Sequence, residues 1–160
     1  MGRPRLWIIR GLPGSGKTTL AMLMEQYLPD AIAICADDFF MSENGYEFDH
    51  SKLKDAHRYC QMRAENRMGS RVLNSKPGFS RMREVRNIIV HNTFSQNWEL
   101  EPYWDMANRF GWEVFIIETQ NDFGSIHNVP EDAVKRMENR WEKVTDPTRG
   151  ANAPETEEQS

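Results

Sequence analysis

Arg5-Leu6-Trp7-Ile8-Ile9-Arg10-Gly11-Leu12-Pro13-Gly14-Ser15-Gly16-Lys17-Thr18-Thr19-Leu20 begins as a short apolar run, breaks at glycine, and continues into helical spacing at Leu20, Leu23, Met24 and Leu28. The pattern is strand, glycine turn, helix. Within it, Gly11 to Thr18 satisfies G-x-x-x-x-G-K-[ST], the Walker A phosphate-binding spacing, in the context that the motif needs. Glycines let successive backbone N–H groups curl around phosphate oxygens, and the helix that follows turns its positive dipole end to the same anion. Lys17 has the reach for β and γ phosphates, and Thr18 offers a hydroxyl to a hard, oxygen-seeking Mg²⁺. A bare turn would need neither side chain in register. Gly11, Pro13, Gly14, Ser15, Gly16, Lys17, Thr18 and Thr19 are therefore the expected nucleotide-binding residues, with ATP and Mg²⁺ as the expected ligands.

Downstream, the alternation repeats. Ala31 to Ala36 reads as a second strand with Asp37 and Asp38 at its carboxyl end, ahead of a Gly45-containing loop. Asp49 or Ser51 is placed to cap a long helix reaching about Met68. Arg86 to Val90 reads as a strand, Trp98 to Phe110 as a helix and Trp112 to Glu118 as a strand, while Pro130 opens a last helix through about Lys143. Gly69 to Arg83, rich in Ser, Asn, Lys, Pro and Gly, is expected to be a long loop or insertion, and Asn121 to Asn128 a turn-rich connection. Strands alternating with helices imply an α/β fold: a mostly parallel sheet of about four to five strands, covered on both faces as a three-layer sandwich. The 160 residues suit one domain, residues 1–145, with the polar, acidic stretch 146–160 expected to be a disordered tail.

At 39% hydrophobic and 28% charged residues the chain can bury a core, which excludes wholesale disorder. Its longest apolar stretches fall far short of the ~20 residues that span a bilayer, and Leu6 to Ile9 is too brief for a signal peptide. A soluble, cytoplasmic chain without a membrane partner is expected. Cys35 and Cys60 lie in different elements and fit neither a disulfide framework nor a zinc site, so both are expected to be reduced and structural. The net charge of −4 argues against blanket affinity for nucleic acid. Between Arg58 and Arg86, however, lies a local excess of six positive charges, which is either a solvated face or a groove for a polyanion.

The acidic pair gains meaning from its place. In open parallel sheets, ligands gather beyond the carboxyl ends of the strands, so Asp37 and Asp38 should face the region above the phosphate loop. One can accept a proton from an attacking hydroxyl and the other can organise Mg²⁺ through water. Helix capping by the pair is the plainer alternative.

Arg10 to Leu20, then Ala36-Asp37-Asp38-Phe39-Phe40, Gly45-Tyr46-Glu47-Phe48-Asp49, Ala56-His57, Asn92-Thr93, Trp98-Glu99, Pro102-Tyr103, Ile126-His127, Arg136-Met137 and Arg140 follow one another in an order that resembles the polynucleotide 5′-hydroxyl kinase-type P-loop phosphotransferases. That group includes bacteriophage polynucleotide kinases and eukaryotic AAA-like kinase domains, and the likeness covers roughly residues 5 to 143. It implies a kinase-like P-loop NTPase sandwich. Asp37 then resembles the general base for the acceptor hydroxyl, and Lys17 and Thr18 the phosphate and metal anchors; Asp38 is expected on the metal side from its place at the strand end, where it or Asp37 can compensate for a missing metal carboxylate. Two departures stand out. His91-Asn92 replaces the aspartate usual beside the Asn-Thr pair, and Asp122-Phe123-Gly124-Ser125-Ile126-His127 lacks the usual lid arginines. Arg136 is the expected catalytic substitute, with Arg81, Arg83 or Arg86 as alternatives.

The acceptor is less determined than the donor. The arginine-rich segment favours DNA or RNA, because each neutralised phosphate releases counterions. Asp37, Arg58, Arg81, Arg83 and Tyr46 are the expected acceptor-binding residues; Tyr46, Phe48 and Tyr59 can stack a terminal base or simply anchor the core and loops. The expected activity is ATP-dependent phosphorylation of a nucleic-acid hydroxyl, at a 5′ end or on a hydroxymethylated base. The alternatives are a nucleotide-binding adaptor or switch with weak transfer, and a kinase of a small nucleoside or metabolite.

Overall fold

A computed structural model of the chain describes residues 2–78, 81–123 and 129–146. The first strand, β1 (Arg5–Arg10), runs into the phosphate loop and then α1 (Lys17–Tyr27), followed by β2 (Ala31–Ile34) and a 3₁₀ turn at Ala36–Phe40. Two short strands, β3 (Met41–Ser42) and β4 (Gly45–Tyr46), form an antiparallel hairpin within the expected glycine-containing loop. Next come a 3₁₀ turn at His50–Lys52, α2 (Leu53–Met68), α3 (Ser70–Asn74), β5 (Asn87–Asn92), α4 (Asn97–Phe110), β6 (Glu113–Glu118) and α5 (Glu131–Asn139). The main sheet has four strands in the order β2-β5-β1-β6, and every neighbouring pair is parallel.

Alternation along β1 builds the layers. Leu6 and Ile8 point to one face, where they join Ile34, Ile88 and Val90 against α2 and α4; Ile9 points to the other, with Ile89, Trp7 and Ala33 around Ala21 of α1. On α2 the inward stripe is Ala56, Cys60, Ala64 and Met68, a four-residue repeat of mostly small side chains that seats the helix close to the sheet. Asp49 accepts hydrogen bonds from the Ser51 amide (3.0 Å) and hydroxyl (2.6 Å), securing the turn that feeds this helix. The amphipathic α4 begins with Glu99 accepting from the Gln96 amide at 3.0 Å.

Three expectations change. The stretch after Gly69 is not wholly loop, since Ser70–Asn74 continues as a short helix, with Asn74 clasping the backbone of Met82 through two 2.8 Å hydrogen bonds. The last helix ends at Asn139, short of Lys143, because the chain turns there to lay residues 140–145 beside the start of α4: the Glu142 amide donates to Ser95 O at 2.8 Å, and the Thr145 amide to Asn97 Oδ1 at 2.9 Å. The strand expected to end at Val90 runs on through His91 and Asn92, paired with Ile9 and Arg10 of β1. Residues 147–160 of the expected tail and residues 124–128 of the expected connection lie outside the described residues. Among the described residues, no helix is long and apolar enough to cross a membrane.

Candidate active site

The parallel sheet sends the carboxyl ends of β1, β2, β5 and β6 to one edge, and the candidate residues follow from which strand each one trails. At the end of β1, Gly16 takes φ +100 and passes the chain into the first turn of α1, whose leading N–H groups have no acceptors inside the helix. Gly11 is buried where a Cβ would run into the hydroxyls of Ser15 and Thr119, so only glycine admits that approach. The Ser15 and Thr119 hydroxyl oxygens stand 2.6 Å apart, and the Phe123 amide donates to Gly14 O at 2.7 Å. The segment after β6 thus braces the loop from outside. Pro13 is half-buried, and Thr18 and Thr19 are exposed at the helix start, where a phosphate-bound cation can meet a hydroxyl.

Lys17 folds back over its own loop. Its Nζ donates to Gly11 O (2.8 Å) and Leu12 O (2.9 Å). Burial pulls its pKa down to about 8, while the charge of Asp37 works in the opposite direction. Lys17 and Asp37 therefore lie within electrostatic reach across the edge.

At the end of β2, the 3₁₀ turn separates the two carboxylates by role. Asp37 is exposed and accepts a hydrogen bond from the Tyr46 hydroxyl at 3.1 Å. Burial, reinforced by Asp37, raises the Tyr46 pKa, so the phenol is a donor. Asp38 instead closes its own turn, accepting from the Cys35 amide at 3.2 Å, and takes the Arg63 guanidinium at 2.7 Å. The turn is held from below by Asn92, whose Oδ1 accepts from the Ala36 amide at 2.8 Å. His91, buried at the end of β5, has its pKa lowered chiefly by burial, with Asp38 opposing and Lys17 adding to the shift. Burial also pushes the Cys35 thiol up to about 12.

The structure gathers Lys17, Thr18, Asp37, Asp38 and Tyr46 at the carboxyl edge but not all the expected arginines. Arg58 is exposed on the half of α2 that packs beside the 3₁₀ turn. Arg83 is on the far side of the sheet: it faces Asp30 at 4.0 Å just before β2 begins, in an open hollow also lined by Glu25, Arg67 and Val85. A strand of four to six residues, roughly 13–20 Å, separates that edge from the phosphate loop. Exposed Arg81 stands next to Met82, which Asn74 holds beyond the end of α2. Arg83 is thus set apart from Lys17, Asp37 and Tyr46. Arg136 is exposed on α5 and bonds Asp132 at 2.8 Å within its own helix.

The structural roles of Arg10, Thr119, Asn92 and Arg63 emerge only in the fold. Arg10, fully buried one residue before the loop, donates from Nε and Nη2 to Phe94 O (3.0 and 2.7 Å), pairs with Glu118 at 3.3 Å and stacks under Trp141 at 4.0 Å.

A family model described as an AAA domain matches residues 6–123. The chain belongs to this AAA domain family. Human NEDD4-binding protein 2 is 29% identical to this AAA domain over 147 residues, covering 86% of the chain and 8% of that protein. Mouse 2′,3′-cyclic-nucleotide 3′-phosphodiesterase is 26% identical over 113 residues, covering 71% of the chain and 23% of that enzyme. The chain therefore spans only a small part of the length of either relative. Among solved structures, Chaetomium thermophilum Kti12 in complex with ADP-AlF3 superposes with a TM-score of 0.61 at 13% identity, over 93% of this chain and 86% of that one. A chain of the Pnkp1/Rnl/Hen1 complex gives a TM-score of 0.56 at 15% identity, covering 100% of this chain and 44% of that one. The AAA domain thus has a P-loop kinase-like fold.

Proposed function

We propose that this AAA domain is an ATP-dependent kinase that transfers the γ-phosphate to a hydroxyl of a nucleic acid, with the 5′-hydroxyl end of DNA or RNA as the leading acceptor. The observation that carries this reading is the opposition of Lys17 and Asp37 across the carboxyl edge of the sheet: an anion-binding loop faces an exposed carboxylate within electrostatic reach. The loop amides and Lys17 hold the donor phosphates. Asp37, oriented by Tyr46, takes the proton of the acceptor hydroxyl as its oxygen bonds to the γ-phosphorus, and the bond to the β-phosphate breaks to release ADP. The Thr18 hydroxyl would hold Mg²⁺, which would supply positive charge to offset that of the donor phosphates. Asp38, already engaged by Arg63 and its own turn, would act on the cation through water. Arg136 would have to exchange Asp132 for the donor phosphates to serve as the lid arginine. The mouse relative, an enzyme of 2′,3′-cyclic nucleotides, supports a nucleotide-bearing acceptor.

Incubation with γ-labelled ATP, Mg²⁺ and 5′-hydroxyl oligonucleotides, hydroxymethyl-base DNA or nucleosides tests the reading. Label is expected on the 5′ end, and Asp37→Asn should lower kcat by at least ~10²-fold with ATP affinity nearly unchanged. Nucleotide binding without label on any acceptor would favour a nucleotide-dependent switch, a reading that the engagement of Asp38 and Arg136 by other side chains already favours.

A further inference from the structure

A run of aromatic rings leads away from Asp37 along the outside of the hairpin. The Tyr46 hydroxyl touches the Asp37 carboxylate at 3.1 Å, the Tyr46 ring meets the edge of Phe40 at 6.2 Å, and Phe48 tilts against Phe40 at 5.1 Å. Phe40 is buried in the core, and the Glu47 amide donates to Phe40 O at 2.9 Å, so the support is rigid. Phe48 is 52% exposed. A half-exposed phenylalanine tilted against a buried ring, within two ring steps of Asp37, is a shelf that a flat group can cover.

Resting on the kinase reading above, we propose that Phe48 is the stacking platform for the base of the acceptor's 5′-terminal nucleotide. A nucleoside carries base and 5′-hydroxyl on one sugar, so seating the base on Phe48 brings the hydroxyl back toward Asp37. Ring centroids step 6.2 Å from Tyr46 to Phe40 and 5.1 Å from Phe40 to Phe48, which places Phe48 two rings from the residue that holds Asp37. Past Phe48 stand His50, at 6.4 Å ring to ring, and exposed Lys52, which faces Asp49 Oδ2 at 4.0 Å while Asp49 Oδ1 accepts from Ser51. Stacking does not discriminate strongly among bases, so the shelf selects single-stranded ends over sequence.

The test uses the full chain and 5′-hydroxyl oligonucleotides whose first residue carries 2-aminopurine, an ordinary base, or no base. The parent protein should quench 2-aminopurine fluorescence and bind base-bearing ends on the order of tenfold more tightly than the abasic end. Phe48→Ala should remove that difference, Phe48→Trp should keep it, and both should bind ATP as the parent does. Equal affinity for base-bearing and abasic ends in the parent would overturn the shelf even if Phe48→Ala fails to fold, as would a Phe48→Ala loss that is the same for both. Label transfer to both ends alike would leave the kinase standing without the shelf. Quenching that depends on Phe48 but comes without transfer would leave the shelf and remove the kinase. If no oligonucleotide binds, both fall.

Discussion

The hydroxyls of Ser15 and Thr119 meet at 2.6 Å across Gly11, joining the phosphate loop to the end of β6 through a contact 104 residues apart in sequence. Thr119 is tied on to β1 through its amide, which donates to Arg10 O at 2.9 Å, so the loop is braced on a neighbour already fixed in the sheet. Preorganisation of this kind lowers the ordering cost of binding. Thr119→Val keeps the shape and loses the hydroxyl pair. ATP affinity should fall about three- to tenfold, the equivalent of one ordinary hydrogen bond, with little change in Tm. Gly11→Ala should be worse, because its methyl collides with both hydroxyls. Isothermal calorimetry on the two variants checks this, and a Thr119→Val protein that binds ATP as tightly as the parent would show that the brace is immaterial.

Lys17 gives a pH signature. Burial lowers its pKa to about 8 in the ligand-free protein, and the ammonium is the form that attracts phosphate. Below pH 8 the group is already charged, so its contribution to affinity is flat. Above pH 8 the free protein must take up a proton to bind, and affinity should weaken by up to tenfold per pH unit until the pKa of the complex, which the bound phosphates raise, is reached. Calorimetry between pH 7.5 and 9.5 in buffers of different ionisation enthalpy should therefore show proton uptake that grows with pH. Lys17→Arg, always charged, should remove the uptake.

Tyr46 reaches Asp37 from the hairpin, and the direction of that hydrogen bond is set because burial and Asp37 keep the phenol protonated. One carboxylate oxygen is held by the phenol. Tyr46→Phe should lower kcat on the order of tenfold, about 1.4 kcal/mol, by letting the carboxylate wander. KM for ATP should not move, since the Tyr46 hydroxyl acts on Asp37. A steady-state comparison settles it: a rise in KM for ATP without loss of kcat would assign Tyr46 to the donor side.

The phosphate loop was legible because eight consecutive residues dictate it, and the Asp37 turn because a carboxyl-terminal strand end can be located without knowing strand order. Strand order itself decides the rest. Arg83 looks like part of one basic run with Arg58, yet α2 carries the chain from one edge of the sheet to the other between them, so charge clustered in sequence is divided in space. Arg63 and Asp38, 25 residues apart, meet only because α2 packs on the 3₁₀ turn. The hairpin escaped notice because each strand is two residues long, too short for alternation to register. Arg10 was hidden by a sound general rule, since arginine is almost never fully buried unless paired.

That buried arginine makes the last prediction. Phe94 adopts φ +48, an uncommon conformation for a bulky residue, and its carbonyl receives two of the Arg10 donors. The same guanidinium balances Glu118 and lies under Trp141, whose strap is further pinned by Arg140 Nε donating to Ser95 Oγ at 2.9 Å. Burial lowers the Arg10 pKa, Glu118 opposes that shift, and the group is charged at any physiological pH. Arg10→Met removes the charge, strands the Phe94 carbonyl and leaves its left-handed backbone unsupported, so it should cost about 3 kcal/mol in urea unfolding. Trp141→Leu loses only the stacked face, about 1 kcal/mol. In the double variant the Trp141 effect should largely vanish, giving a positive coupling in the thermodynamic cycle. Additive losses would mean that the strap packs on the β5–α4 turn by itself and that Arg10 serves the phosphate loop alone.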